Sequence, residues 1–250
     1  HIEINLPDKI AREKIITLLL KDKKIDDSIN IKEIAKKTIY FSGAMLDALI
    51  NEASIMAIKD NNEKININHI DKAYLKIIAG DEKKDKSFMT QQDKKITAIH
   101  EAGHAIVTNA LNNATISKIS IIPTTKGAGG FCLNIFEDKL FQTKKDIENQ
   151  IMSLYGGRCA EEIIFGSENI TTGAYNDIEK ATKLIIDYVS KYGMTDNNIL
   201  SYNILKEDNN ILDIYKKISL SLYEKTKNIL IENVKNLEKL ANELIEKETL

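Results

Sequence analysis

The chain has 250 residues, of which 43% are apolar and 29% charged, and its formal net charge is −2. This composition is ordinary for a soluble globular protein of one large or two modest domains, and it argues against a disordered chain. Positive and negative charges are nearly balanced, so the chain lacks the excess of basic residues that is typical of nucleic-acid-binding proteins, and we expect no nucleic-acid partner. No apolar run of about 18 residues occurs, and we expect no membrane span within the sequence.

The cysteines and the first residue of the chain lead to two further expectations. Cys132 and Cys159 have no C-x-x-C spacing, so we expect them to pack in the core rather than to form a disulfide framework or a structural zinc site. The sequence begins with His1 instead of methionine. We therefore expect a piece of a longer protein, with any targeting or anchoring segment lying upstream.

The first eighty residues predict a small helical domain. Residues 1–6 alternate like the end of a strand, and helical periodicity follows in four segments. We expect helices over residues 8–21, 31–37, 45–59 and 69–78. Ser42 is the expected N-cap of the third helix and Asn68 that of the fourth, because both precede the first apolar turn. No catalytic cluster occurs in this domain, which we bound at residues 1–80.

Residues 81–93 are charged and poor in aliphatic side chains, which is typical of a linker. A second domain over residues 94–250 then begins with a helix, continues through two strands and ends in helices. We expect the strands at 116–122 and 131–136, and the later helices from Lys144 through about 166, from about 177 to 192, over 212–229 and over 233–247. The predicted fold is mainly α, with a small β-sheet in the second domain.

Two glycines interrupt the first of those later helices. Gly156 and Gly157 lower helix propensity, and their presence is better explained by close backbone approach of a neighbouring helix. The segment Tyr155–Gly166 is therefore expected to continue the helix.

The first helix of the second domain carries the pattern His100-Glu101-Ala102-Gly103-His104. Four residues make about one helical turn, so both imidazoles share a face with Glu101 beside them. This spacing suits a zinc hydrolase, in which two histidines bind the metal and the glutamate acts as the base on a water molecule. The alternative is two histidines on an amphipathic helix whose hydrogen bonds are satisfied by the protein and which bind no metal.

A zinc site with two histidines needs another protein ligand, and acidic residues on a neighbouring element are the candidates. Four carboxylates compete on sequence alone: Glu161, Glu162, Asp177 and Glu179. Asp177 is attractive because a short carboxylate in the first turn of a helix is rigidly placed. An aspartate there also complements the helix dipole, which is the purely structural alternative.

Several segments together resemble the FtsH family of membrane-anchored, ATP-dependent zinc proteases. They are HEAGHAIV, IIPTTKGAGG, YGGRCAEEIIFG, TTGAYNDIEKAT, YGM and ANELIEKETL, and INLPD with FSGAMLDALINEA before the linker resembles the AAA+ lid of that family. The resemblance covers essentially the whole chain. The histidine pattern is shared by many metalloproteases, whereas its combination with GGR-x-AEE-IIFG and TTGA-x-ND is specific.

The resemblance implies a helical AAA+ lid followed by a mostly helical zinc-peptidase domain. It implies that His100, His104 and Asp177 ligate Zn²⁺ and that Glu101 is the general base. It further implies a membrane-anchored homo-hexamer, in a bacterial cytoplasmic or organellar inner membrane, that degrades unfolded or membrane proteins. ATP belongs to the intact protein only, because no G-x-x-x-x-G-K-[ST] phosphate loop occurs in these residues.

Two interpretations of function remain open from the sequence. The first is an active zinc endopeptidase, in which an unfolded substrate adds to the edge of a strand over Gly130–Phe136 through main-chain hydrogen bonds. That strand is equally consistent with an ordinary core strand. The second is a non-catalytic ring-assembly module in which zinc is structural. Retention of Glu101, which is not a ligand, favours the first.

Overall fold

The computed structural model describes residues 5–83, 85, 88–127, 129–135, 139, 141–195, 200–202, 204 and 211–250. These described residues form nine α-helices and a two-stranded sheet, so the predicted mainly α fold is confirmed. They divide into two compact units, His1–Lys84 with Thr124–Ala128, and Asp85–Pro123 with Gly129–Leu250. Four residues of the predicted strand at 1–6 lie outside the described residues.

The first unit is a bundle of four helices. They are α1 (Lys9–Leu20), α2 (Ile31–Lys37), α3 (Gly43–Lys59) and α4 (Ile67–Ala79). Ser42 caps α3 as predicted, since its hydroxyl accepts the Met45 amide. The predicted cap at Asn68 is wrong. Asn66 caps α4 instead, and the His69 ring accepts the Asn66 amide in return, so α4 starts two residues earlier than expected.

A short segment from later in the chain completes this unit. Thr124 pairs with Glu82, and the Thr125 amide donates to the Asp81 carbonyl at 2.8 Å. Lys126 donates to the carbonyls of Ile77 and Ile78 at the end of α4. Residues predicted as linker and as an inter-strand loop therefore fold together.

The second unit begins with α5 (Gln91–Leu111), whose first turn overlaps the predicted linker. The strands β1 (Thr115–Ser120) and β2 (Phe131–Ile135) follow, and then α6 (Lys144–Phe165), which runs through both glycines as expected. Two 3₁₀ turns, at Ser167–Asn169 and Thr172–Ala174, lead into α7 (Tyr175–Ile186). A π-helical turn at Asp187–Lys191 follows, and α8 (Ile211–Glu232) and α9 (Val234–Lys247) end the fold.

The two strands are antiparallel, with Ser120 opposite Phe131 and Thr115 opposite Ile135. The outer edge of β1 is occupied by the last residues of the chain. Ile119 exchanges two backbone hydrogen bonds of 2.9 Å with Leu250. The strand β1 ends two residues earlier than predicted, and Phe136, the last residue of the second predicted strand, lies outside the described residues.

The core of the second unit lies between α5, α6, α8 and α9. Residues such as Ile151, Leu230, Leu237 and Leu244 are fully buried there. Both cysteines are free thiols, and burial raises the pKa of Cys159 to about 12. Among the described residues, no helix combines the length and apolar content needed to cross a bilayer.

Candidate metal centre

The helix α5 presents its histidine pattern on a buried face. Thr90 and Asp93 form a capping box that fixes where α5 begins. His100, Glu101 and His104 are each at most 8% exposed. Every residue of α5 from 98 to 105 is buried, so this part of the helix is enclosed on all sides rather than along one face.

Glycines let α6 pack directly against this face. A Cβ on Gly103 would lie 2.4 Å from the Gly156 carbonyl oxygen, and one on Gly156 would lie 2.7 Å from the Gly103 carbonyl oxygen. A Cβ on Gly157 would lie 2.4 Å from Nε2 of His100. The sequence predicted a close approach at these glycines, and the structure identifies α5 and the His100 ring as what they approach.

Asp177, in the first turn of α7, completes a cluster with the two histidines. The Nε2 atoms of His100 and His104 are 3.0 Å apart, and each is 3.3 Å from Oδ2 of Asp177. Ligand atoms placed 2.0–2.1 Å from a zinc ion in a tetrahedral site lie about 3.3 Å from one another. These three atoms therefore have the mutual spacing of a zinc ligand set.

The outer nitrogens of both rings are already engaged. Nδ1 of His104 is 2.7 Å from the Ser153 carbonyl oxygen, and Nδ1 of His100 is 2.6 Å from Oε1 of Glu161. A carbonyl and a carboxylate accept hydrogen bonds, so each Nδ1 carries the proton. In the neutral rings both Nε2 atoms then present lone pairs, and these converge with the Asp177 carboxylate. Three acceptors facing each other need a cation between them, and so the residues fit a metal ion.

The charges of the cluster point to the same conclusion. Burial alone would lower the pKa of His100, but hydrogen bonds to Asp177 and Glu161 outweigh it and raise that pKa to about 10. Burial opposes ionisation of Asp177 too, and its contacts with both histidines nevertheless hold its pKa well below the usual range. Without a metal, a proton on the His100 imidazole supplies positive charge at this site.

Glu101 lies beside the cluster without belonging to it. Burial raises the pKa of Glu101, and the nearby histidines only partly oppose this. A Cβ on Gly130, just before β2, would come within 3.0 Å of Cγ of Glu101 and within 2.8 Å of Thr97. The strand β2 thus starts next to Glu101.

The other acidic candidates lie outside the cluster. Glu161 is fully buried and contacts His100 from behind, while its Oε2 accepts the Thr171 amide at 2.7 Å. Glu162 is directed to α8, where Tyr223 and Lys227 donate to it. Glu179 pairs with Lys183 on an exposed face. Among the described residues, the one group of three or more potential ligands is His100, His104 and Asp177.

Sequence reasoning did not identify two supporting contacts. The Ser153 carbonyl orients His104, and no side-chain pattern can report a main-chain acceptor. Arg158 donates to the Thr171 carbonyl at 2.8 Å. The only indication of a role for Arg158 in the sequence was that it directly follows Gly156 and Gly157.

Known proteins match this chain along its whole length. The sequence profile of peptidase family M41 matches residues 87–217, and that of an AAA+ lid domain matches residues 28–72. Proteins named ATP-dependent zinc metalloprotease FtsH align with the whole chain. The protein from Lachnoclostridium phytofermentans is 47% identical over 254 residues, FtsH 1 from Alkaliphilus metalliredigens 42% over 257, and FtsH from Bacillus subtilis 35% over 276.

The chain spans less than half the length of these relatives, at 44%, 44% and 42% respectively. The M41 match includes both histidines, Glu101 and Asp177, and it extends over more than half of the chain. The chain therefore belongs to peptidase family M41, the FtsH family.

Proposed function

We propose that this chain carries the zinc-dependent endopeptidase site of an FtsH-type protease, with His100, His104 and Asp177 as metal ligands and Glu101 as general base. One observation carries the proposal. Two imidazole nitrogens and a carboxylate oxygen converge within 3.0–3.3 Å while the outer nitrogens of both rings are held by acceptors. Zinc is the ion that the names of the relatives specify.

The number of ligands favours catalysis over a structural zinc site. Structural zinc sites are closed by four protein ligands, whereas catalytic sites use three and keep a position for water or substrate. The described residues supply three. Glu101 is buried at this cluster although it is not one of the three, a placement that a ring-assembly module with structural zinc does not need.

Each residue has a defined role in the proposed hydrolysis. Zinc, when bound, supplies a Lewis acid that polarises a carbonyl and lowers the pKa of a water molecule to about 7. Glu101 takes a proton from the attacking water and passes it to the leaving amine.

The strand β2 is the proposed site of substrate binding. Its inner edge pairs with β1, and among the described residues no strand pairs with its outer edge. Gly130 brings the start of β2 against Glu101. An extended polypeptide that adds to this edge through main-chain hydrogen bonds is held near the base regardless of its sequence. Unfolded proteins are therefore the proposed substrates.

The wider setting is proposed from the family. We place this site in a membrane-anchored homo-hexamer that degrades unfolded or membrane proteins and is driven by ATP. The support is the match to an AAA+ lid and the words "ATP-dependent" in the names of the relatives. ATP would bind outside this 250-residue chain, because the chain lacks a phosphate loop.

The proposal is tested by zinc content and by cleavage of an unfolded protein such as casein, in wild type and three variants. We expect about one zinc per chain and cleavage in wild type. Glu101→Gln should retain zinc and lose cleavage, and Asp177→Ala should lose both. Glu162→Gln is the matched control, because this neighbouring acid faces α8, and it should retain both. Full zinc content and cleavage in Asp177→Ala would refute the ligand set.

A further inference from the structure

Two side chains of α6 hold the backbone of Thr171, one at its N–H and one at its carbonyl oxygen. Its N–H donates to Oε2 of Glu161 at 2.7 Å, and its carbonyl oxygen accepts from the Arg158 guanidinium at 2.8 Å. Arg158 and Glu161 are three residues apart on α6, so they project from the same face. Glu161 also binds His100 through its other oxygen. One carboxylate thus connects the helix of the histidines with the segment that leads to Asp177.

The segment between Thr171 and Asp177 is tightly folded. The hydroxyl of Thr171 accepts the Gly173 amide, which closes the 3₁₀ turn Thr172–Ala174. Ala174 is fully buried, and α7 starts at the next residue. Because every step between them is a closed turn or a helix, the position of Thr171 determines where the Asp177 carboxylate lies.

We propose that Arg158 is a positioning residue for the third metal ligand: by holding the Thr171 carbonyl it places Asp177 at the distance from His100 and His104 that a zinc ion requires. This inference rests on the proposed zinc site and assigns to it a residue that touches neither metal nor substrate. Arg158 acts through the backbone of the segment before α7.

The contacts of Arg158 favour this role over that of a general surface cation. It is only partly exposed, and among the described residues its Nε has no hydrogen-bond partner. The adjacent acid Glu162 is already bound by Tyr223 and Lys227. The guanidinium is therefore directed to the Thr171 carbonyl rather than to the acid beside it.

The test measures zinc affinity by competition with a chromophoric chelator, together with the absorption spectrum of the cobalt-substituted protein. The variants are Arg158→Met, which removes all N–H donors, and Arg158→Lys, which retains one charged donor nitrogen. Lys227→Met is the matched control, because it removes a cation that contacts α6 through Glu162 and not through Thr171. Melting temperatures of the metal-free proteins control for folding.

We expect Arg158→Met to weaken zinc binding by about tenfold, the lower end of what loss of a direct contact to a metal ligand costs, because Arg158 acts on Asp177 only through the backbone. Arg158→Lys should lose less, and Lys227→Met should bind zinc as wild type does. The cobalt spectrum should change in Arg158→Met and not in the control, because only the former displaces a ligand. A merely structural role would lower the melting temperature and leave this spectrum unchanged.

Wild-type zinc affinity and an unchanged cobalt spectrum in Arg158→Met would overturn the inference. If Arg158→Met does not fold, Arg158→Gln carries the same expectation and the same refutation. Asp177→Ala separates the two proposals. If it abolishes zinc binding while Arg158→Met does not affect it, the metal site stands and only the positioning role fails. If it retains wild-type affinity, both proposals fail.

Discussion

Replacing Gly157 by alanine tests how closely α6 sets the position of His100, a proposed metal ligand. The new Cβ would lie 2.4 Å from both Cε1 and Nε2 of His100. Non-bonded carbon atoms prefer about 3.5–4.0 Å, so the ring or the helix must shift by about 1 Å or more. The ring cannot simply turn away, because Nδ1 is tied to the buried Glu161.

The expected change in the free energy of unfolding is small, because two effects oppose each other, so stability measurements do not test the role of Gly157. Overpacking costs about 1–3 kcal/mol, whereas alanine in a helix interior gains about 0.5–1 kcal/mol over glycine. The effect on metal binding is larger, because ligand distances in metal sites tolerate only about 0.2 Å. A shift of about 1 Å at Nε2 should therefore reduce zinc affinity by about 100-fold, at the upper end of what disturbed supporting contacts cost.

The assay is zinc competition in Gly157→Ala beside Gly43→Ala. Gly43 begins α3, and a Cβ there would meet nothing within 4 Å, so this control should retain wild-type affinity and fold at least as well. Wild-type affinity in Gly157→Ala would refute the view that the close approach of α6 fixes the His100 ring. Loss of affinity in both variants would attribute the effect to something other than this contact.

Three further changes test other parts of the site and fold. Glu161→Gln should weaken zinc binding by about tenfold in the same competition assay, because a neutral amide orients the His100 ring less strongly, and an unchanged affinity would contradict that role. Gly130→Ala should lower kcat/KM for peptide cleavage while the zinc content stays full. The new Cβ would lie 2.6 Å from the Ser120 carbonyl oxygen and 2.8 Å from Thr97, and it would therefore displace β2. Loss of zinc would instead indicate damage to the metal site. At Asp146, hydrogen bonds from the Thr143 amide and hydroxyl and from Lys139 lower the pKa of the carboxyl from 3.8 to about 2. The ionised carboxylate, which caps α6, therefore stabilises the fold fully above pH 3.8, and this stabilisation is lost as the pH falls from 3.8 to 2. The urea midpoint of Asp146→Asn should therefore fall less than that of wild type between pH 3.8 and pH 2. If it falls as much, the loss of stability in this pH range comes from other acidic residues.

The sequence alone paired the two histidines of the candidate site, but it left the third ligand among four acidic residues. A helix fixes the relation between residues four apart, so His100 and His104 could be paired without any tertiary information. Asp177 could not be chosen over Glu161 by spacing, because its approach depends on how α7 packs against α5 and α6. The error at Asn68 has a similar origin, since the true cap uses His69, a residue outside the usual capping-box pattern.

The helix α6 contributes no ligand, yet it organises the proposed metal centre. The Ser153 carbonyl orients His104, Gly157 leaves room for the His100 ring, and Glu161 binds that ring from behind. These residues are spaced by four, so they form one stripe along α6 that faces α5. Arg158, next to the stripe, reaches the segment before Asp177. A rotation of α6 by one residue would disturb every one of these contacts together. Residues 153–162 therefore support the site as a unit, and the two glycines and the buried acid among them follow from the shape of the rings and turns that they contact.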